Sequence, residues 1–181
     1  MLSGRSGTAK SLFASFFAQA AAKKGKKVLF VSFEETPDDI IANTQSVGIN
    51  LKTYIKKNKL FLHSLRPVEM GLEDIIIHIT DLTQKHNIDA LVIDPISSLL
   101  DMGSDMEVKM LFIRFINFMK SRGLTLYFTE LISDAAQGYS RIGLSSLTDT
   151  WVRLTNVENN GEFNRLLYIS KSRGSKTSNQ M

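Results

Sequence analysis

Residues 4–11 read Gly4-Arg5-Ser6-Gly7-Thr8-Ala9-Lys10-Ser11 and lie directly before a stretch with helical spacing of apolar residues. This order nearly matches the phosphate-binding loop pattern G-x-x-x-x-G-K-[ST], in which a glycine-rich turn precedes a helix. Gly4, Lys10 and Ser11 are in register with the pattern, and Ala9 replaces its second glycine. The stretch therefore predicts a phosphate-binding loop; the alternative is a simple helix-capping turn.

The predicted loop would bind a nucleotide largely through its backbone. N–H groups that turn inward, together with the first N–H groups of the next helix, form a seat for phosphate oxygens. Lys10 would reach the β- and γ-phosphates, and the Ser11 hydroxyl would bind Mg²⁺, which prefers oxygen ligands. Ala9 adds one Cβ, which is tolerable at a negative φ and strained at a positive φ. The residues expected to contact ATP are Gly4, Ser6, Gly7, Thr8, Ala9, Lys10 and Ser11.

The composition limits the classes of protein that fit the chain. Its 181 residues correspond to about one domain, and 43% hydrophobic residues suffice for a substantial core. The 22 basic and 18 acidic residues leave a net charge of only +4, so nucleic acid is not an expected partner. Cysteine is absent, and no apolar run reaches the roughly 18 residues of a membrane span. Because no signal peptide precedes the loop, we expect a cytoplasmic protein without membrane contact.

The two ends of the chain predict a fragment of a larger protein. A loop of this kind follows a buried strand, yet only Met1-Leu2-Ser3 precede it. The last residues, 175–181, are polar and contain no clear finishing element. We expect a single domain over residues 1–181 that lacks its N-terminal strand and its C-terminal tail.

Predicted strands and helices alternate along most of the chain. The apolar runs 28–33 and 90–94 predict buried strands, and helical spacing predicts helices between the strands. This order indicates a mainly parallel sheet with helices on both faces, whose ligands bind beyond the carboxyl ends of the strands. Two further runs that flank Asn159-Asn160-Gly161 predict an antiparallel hairpin.

Acidic residues follow two of the predicted strands. Asp94 has the position of a Mg²⁺ ligand opposite Ser11, although an aspartate that starts a turn before Pro95 gives the same pattern. Glu34 and Glu35 would orient and deprotonate the water that attacks the γ-phosphate, although acids also suit a solvated helix entrance. The phosphate-binding loop favours the functional interpretation in both cases.

One longer segment resembles a known family. Ser32-Phe33-Glu34-Glu35-Thr36-Pro37-Asp38-Asp39-Ile40-Ile41, set between the loop and Val92-Ile93-Asp94, resembles the RecA-like ATPase domain of the circadian-clock KaiC family and its bacterial and archaeal relatives. The resemblance continues to Lys171-Ser172-Arg173-Gly174 and covers almost the whole chain. It implies an α/β fold of the RecA-like P-loop NTPase type, with a mainly parallel sheet, helices on both faces and a C-terminal antiparallel β-hairpin. ATP and Mg²⁺ are the implied cofactors.

The resemblance also implies roles for individual residues. Glu34 and Glu35 are then the catalytic glutamates, and Lys171 and Arg173 reach the γ-phosphate bound to the neighbouring subunit of a ring. The implied assembly is a homohexamer, whose regulatory protein partners are unknown. Without the resemblance, Lys171 and Arg173 would be interpreted as basic residues at a strand edge, which discourage aggregation.

Ser145-Ser146 resembles the paired hydroxyl residues that become phosphorylated in the second KaiC domain. The pair implies autophosphorylation, whereas two serines in a loop are ordinarily turn residues. The chain departs from the family at Ala9, at Thr177, where relatives often have histidine, and at the expected missing strand.

The sequence thus predicts a slow, Mg²⁺-dependent ATPase that acts in a ring as a regulatory or signalling protein. One alternative is a recombinase-like or helicase-like ATPase that moves along DNA, but the candidate DNA-contacting segment 134–139 is short and not basic. The other alternative is a nucleotide-binding scaffold that does not hydrolyse ATP, which Ala9 and the expected truncation favour.

Overall fold

The computed structural model describes residues 1–132, 141–159 and 161–174. Its strands are β1 (Leu2–Gly4), β2 (Val28–Ser32), β3 (Leu60–Ser64), β4 (Ala90–Asp94), β5 (Thr125–Leu131), β6 (Thr150–Asn159) and β7 (Glu162–Ser172). They form one sheet in the order β3-β2-β4-β5-β1-β6-β7. Every neighbouring pair is parallel except β6 and β7. The predicted parallel sheet with a C-terminal antiparallel hairpin is therefore confirmed.

The helices lie between the strands, as the alternation predicts. They are α1 (Lys10–Lys23), α2 (Pro37–Ser46), α3 (Lys52–Lys56), α4 (Leu72–Lys85) and α5 (Asp105–Ser121), with short 3-10 turns at Pro67–Glu69, Ile96–Leu99 and Arg141–Ser146. The Thr36 hydroxyl caps α2 by accepting from the Asp39 N–H (3.3 Å), directly before Pro37. Side-chain caps of this kind satisfy N–H groups that have no partner inside the helix. Among the described residues, none of the helices is long and apolar enough to cross a membrane.

Alternate residues of the central strands pack on opposite faces of the sheet. Leu29 and Val31 of β2 contact the core under α4 and α5, whereas Val28 and Phe30 contact the core under α1, α2 and α3. Side chains alternate along a strand, so one continuous apolar run supplies both cores. Helices cover both faces of the sheet, so a ligand can reach it at the ends of the strands.

The strand before the phosphate-binding loop is present, although the sequence predicts a chain that lacks this strand. Leu2–Gly4 is only three residues long, but it pairs with β5 on one side and with β6 on the other. Ser3 is fully buried, and its Oγ accepts a hydrogen bond from Trp151 Nε1 at 2.7 Å. Pairing on both sides lets so short a segment form a strand. The loop therefore starts from the middle of the sheet.

The C-terminal hairpin is longer than predicted. β6 and β7 pair from Thr150 opposite Ser172 to Asn159 opposite Glu162. Asn160, part of the predicted turn, lies outside the described residues, and Gly161 has φ 79°. β7 is one of the two edge strands of the described sheet, and its register decides which of its cations lie near the loop.

Candidate functional site

The loop between β1 and α1 needs glycine at two positions. A Cβ on Gly4 would lie 2.6 Å from Thr8 Oγ1 and 2.8 Å from the Leu154 carbonyl oxygen, so the close approach of β6 excludes any side chain. Gly7 has φ 75°, a conformation that glycine adopts without steric cost. The loop is consequently a tight turn held against the neighbouring strand.

Thr8 and Lys10, two loop residues that are predicted to contact ATP, donate to the same backbone acceptor. The fully buried Thr8 donates its hydroxyl to the Arg5 carbonyl oxygen at 2.8 Å. Lys10 Nζ donates to the same oxygen at 2.7 Å. Burial lowers the pKa of the Lys10 ammonium, and the nearby charges of Asp94 and Glu34 oppose this shift. Additional negative charge beside Lys10 would stabilise its protonated form.

Ala9 has the backbone conformation in which the substitution for glycine is strained. Its φ of 69° and ψ of 26° place it in the left-handed region, so the negative φ that would make alanine tolerable is not observed. An L-residue other than glycine costs roughly 1–2 kcal/mol in this conformation. Ala9 is also the N-cap of α1 and supplies no side-chain hydrogen bond, so the first turn of this helix has no side-chain cap.

The acidic residues come from the ends of two adjacent parallel strands. Ser32 and Asp94 are paired across β2 and β4. The buried Ser32 Oγ accepts from the N–H groups of Glu34 (3.4 Å) and Glu35 (2.9 Å). This turn directs the chain after β2 toward the loop, so the carboxylates gather as the sheet topology predicts.

The two glutamates differ in their surroundings. Glu34 is exposed, yet the desolvation of its carboxylate by nearby residues raises its pKa, and the charge of Asp94 raises it further. Lys10 acts in the opposite direction. Glu35 Oε2 instead accepts a hydrogen bond from Asn43 Nδ2 at 3.1 Å. Glu35 therefore has a neutral partner on α2, whereas Glu34 belongs to the charged group around Lys10.

Asp94 is nearly buried, with 6% of its surface exposed. Its Oδ1 accepts a hydrogen bond from the hydroxyl of Thr129, a fully buried residue on β5. The sequence places Thr129 at a strand end but does not predict this contact, because the contact depends on the order of the strands in the sheet.

The loop and the strand ends enclose a cleft of about 320 Å³. Eight of the predicted site residues line it: Ser6, Gly7, Ala9, Lys10, Ser11, Glu34, Glu35 and Asp94. Gly4 and Thr8 do not line the cleft. Gly4 lies close to Leu154 and Thr8 donates to the Arg5 carbonyl oxygen, so both hold the loop in place. Within the described part of the chain, no cluster of three or more His, Asp or Glu side chains is arranged to hold a metal ion. The oxygen donors of the cleft suit Mg²⁺, which binds through one or two protein groups plus substrate phosphates and water.

Lys171, Arg173 and the serine pair lie elsewhere. Lys171 is opposite Trp151, where β6 begins, and thus at the end of the sheet away from the loop. Lys171 Nζ donates to the carbonyl oxygens of Ser145 (2.8 Å) and Ser146 (3.3 Å). An Arg173 guanidinium nitrogen donates to the Ser146 carbonyl oxygen at 3.2 Å. The structure therefore brings these four residues to one another and not to the loop of their own chain.

A different cation of the hairpin approaches the loop. Arg165 of β7 donates a hydrogen bond to the Gly7 carbonyl oxygen at 3.3 Å. The sequence does not single out Arg165, because only the register of β7 on β6 shows which basic residue of the strand lies level with the loop.

Replacing Ala9 by glycine is expected to stabilise the chain. The variant Ala9→Gly removes the left-handed strain and should raise the free energy of unfolding by about 1 kcal/mol, measured by urea denaturation. The matched control is Ala20→Gly at an exposed position inside α1, which should lower the free energy of unfolding by about 1 kcal/mol. Equal losses in both variants would contradict the strained conformation of Ala9.

Comparison with known proteins gives one family. A family model described as "ATPase: KaiC" matches residues 1–181. The "Circadian clock protein KaiC2" of Synechocystis sp. is 37% identical over all of this chain and 32% of the relative. "Circadian clock protein KaiC3" of the same organism is 27% identical over 97% of this chain and 35% of the relative. The "Circadian clock oscillator protein KaiC" of Picosynechococcus sp. is 27% identical over 97% of this chain and 34% of the relative.

The chain spans about one third of the length of these relatives. The match of the family model over every residue agrees with the RecA-like sheet and with a glycine-rich loop that faces acidic strand ends. The chain belongs to the KaiC family of ATPases.

Proposed function

We propose that the chain binds ATP with Mg²⁺ and hydrolyses it slowly within a homohexameric ring, as a regulatory or signalling ATPase. The observation that carries the proposal is the cleft that joins the loop to Glu34, Glu35 and Asp94. These parts come from three separate segments of the chain. A helix-capping turn alone would not require acidic groups from other strands beside its lysine.

The loop would bind the triphosphate through its N–H groups and through Lys10. No side chain of the described residues caps the N–H groups at the start of α1, so these groups are available to phosphate oxygens. Phosphate charge would also offset the burial that lowers the pKa of Lys10. The Lys10 ammonium, which contacts the Arg5 carbonyl oxygen, would then move to the β- and γ-phosphates.

The donor set of the cleft fits Mg²⁺. Ser11 and Asp94 would hold the ion, because both line the cleft and both offer oxygen ligands. The bound ion supplies charge neutralisation at the phosphates. Asp94 is nearly buried and already has one oxygen fixed by Thr129, so its carboxylate needs little further ordering to act as a ligand.

Glu34 is the better candidate of the two glutamates for activating the attacking water. A general base works best when its pKa lies near the operating pH, and the pKa of Glu34 is raised by desolvation of its carboxylate and by the charge of Asp94. Glu35, held by Asn43, would orient the water or the other groups of the cleft. We therefore assign deprotonation of the water to Glu34 and positioning to Glu35.

Single substitutions separate these two roles. Glu34→Gln should lower phosphate release from ATP by at least ~10²-fold, because the amide cannot accept the proton. Glu35→Gln, which keeps a hydrogen-bond acceptor for Asn43, should lower it less. Phosphate release and ATP retention would be measured on both variants and on the original chain, together with its mass in solution. If the original chain retains ATP but releases no phosphate, the non-hydrolysing scaffold replaces the ATPase proposal.

Lys171 and Arg173 support a ring because of their position. They lie at the end of the sheet where β1 begins, whereas the loop starts where β1 ends. A cation at the opposite end of the domain suits a phosphate of a second copy better than one of its own chain. Head-to-tail contacts of this type form a ring when the rotation between neighbours closes, and an open filament when it does not. The Arg173 side chain is 60% exposed, which leaves it accessible to a neighbour.

Mixing two inactive variants tests catalysis between subunits. Lys10→Ala removes the loop lysine, and Arg173→Ala removes the cation supplied to the neighbour; each alone should lose at least ~10³-fold in phosphate release. Mixed rings should recover activity at about a quarter of their sites, where an intact loop faces an intact Arg173. Mixtures that stay inactive while both variants co-assemble would rule out supply in trans.

Autophosphorylation of Ser145 or Ser146 is a second proposal. Ser146 is exposed, and its hydroxyl donates to the Gly143 carbonyl oxygen at 2.8 Å. Both serines contact Lys171 through their carbonyl oxygens, so they lie beside a cation that would face the neighbouring nucleotide. Incubation with ATP and Mg²⁺ should add the mass of one phosphate, and this gain should be lost in the Ser145→Ala/Ser146→Ala variant. A gain that survives both substitutions would disprove these sites.

The DNA-dependent alternative has no supporting contact among the described residues. The segment 134–139, on which that alternative depends, lies outside the described residues. A cytoplasmic location and the absence of nucleic-acid partners stay predictions from the sequence, and the regulatory protein partners are unknown.

A further inference from the structure

Thr129 is a fully buried residue whose hydroxyl has a charged partner. It lies on β5 and donates to Asp94 Oδ1 on the adjacent strand β4. A buried hydroxyl needs a hydrogen-bond partner, and most side-chain hydrogen bonds in proteins go to the backbone or to water. Here the partner is the one nearly buried carboxylate at the cleft.

The hydrogen bond limits the rotation of the Asp94 carboxylate. Rotation about the last bond of an aspartate side chain changes the direction of both carboxylate oxygens unless one of them is held. Thr129 holds Oδ1, so the carboxylate keeps one orientation at the cleft that Asp94 lines. A hydrogen bond to an ionised group is also stronger than one between neutral groups.

The backbone around Thr129 keeps this donor in place. Ile93 and Phe128 are paired in the β4–β5 ladder, so the next residues of the two strands, Asp94 and Thr129, lie side by side. Past this pair, the Leu131 N–H donates to Ser97 Oγ at 3.1 Å, which ties the end of β5 to the 3-10 turn after β4. The donor and the acceptor therefore belong to one rigid part of the sheet.

We infer that Thr129 is a positioning residue for the metal: it fixes the orientation in which the Asp94 carboxylate would meet the Mg²⁺ that accompanies the nucleotide. The inference rests on the proposed Mg²⁺-dependent binding of ATP. Part of the metal affinity would then come from a residue that belongs neither to the loop nor to the acidic residues of the cleft. Hydrogen-bond partners of metal ligands typically contribute about 10- to 100-fold in affinity.

A buried hydroxyl elsewhere in the fold provides a matched control. Thr83 of α4 is 3% exposed, and its hydroxyl donates to the Thr80 carbonyl oxygen at 2.7 Å. Thr83 does not line the cleft. Thr83→Val therefore removes a buried threonine hydroxyl without touching Asp94 or its hydrogen bond.

The experiment measures the affinity for a fluorescent ATP analogue during a MgCl₂ titration and, separately, in EDTA. Thr129→Val keeps the shape of the side chain but not the hydroxyl. It should raise the MgCl₂ concentration needed for half-maximal binding of the analogue by about 10- to 100-fold and leave the affinity in EDTA unchanged. Thr129→Ser should restore the original Mg²⁺ dependence. Thr83→Val should leave the Mg²⁺ dependence unaltered. Thermal unfolding of each variant checks that the fold is intact.

Each outcome has one meaning. An unchanged Mg²⁺ dependence in Thr129→Val overturns the role of Thr129 and leaves the proposed ATPase standing. Equal weakening of the analogue affinity in MgCl₂ and in EDTA, or a similar loss in Thr83→Val, shows a merely structural hydroxyl and also overturns it. If Thr129→Val does not fold, a loss of Mg²⁺ dependence in Thr129→Ser overturns it instead. A chain whose affinity never depends on Mg²⁺ contradicts the proposed metal site itself, and the inference with it.

Discussion

Parallel pairing of β4 between β2 and β5 is the constraint on which the whole candidate site depends. The register places Ser32 level with Asp94, and the row continues to Thr129 on β5, one residue past the Ile93–Phe128 pair. A shift of one residue would turn Asp94 to the opposite face of the sheet. The apolar residues that fix the register, packed under helices on both faces, therefore also fix the geometry of the cleft.

The loop contains a strained residue, Ala9, that the surrounding sheet holds in place. Ala9 stays in a left-handed conformation that its own sequence does not favour, and such strain persists only where the surrounding structure determines the backbone. That surrounding structure is visible in the contact of Gly4 with the Leu154 carbonyl and in the buried hydroxyl of Thr8. Part of the stability of the sheet is thus used to hold the loop in this conformation.

The sequence predicts most of the fold and the residues of the cleft, because continuous apolar runs, helix caps and acidic strand ends are local signals. Asp94 and Glu34 could be placed together since the carboxyl ends of parallel strands share one edge. The φ of Ala9, the short strand at Leu2–Gly4 and the contacts of Thr129 and Arg165 could not be predicted. Each depends on which strands become neighbours and in which register, and no local pattern encodes that order.

The two ends of the sheet have different chemical characters, and this difference links the proposals. Acidic groups and the loop occupy the carboxyl ends of the strands, whereas Lys171 and Arg173 lie at the opposite end against the Ser145 and Ser146 carbonyls. In a ring, a phosphate of the neighbouring copy would compete with these carbonyls for the same cations. The turn that carries the two serines would then sense whether a nucleotide occupies the next site. The hydrogen bonds that would have to break for such coupling are already present in the single chain.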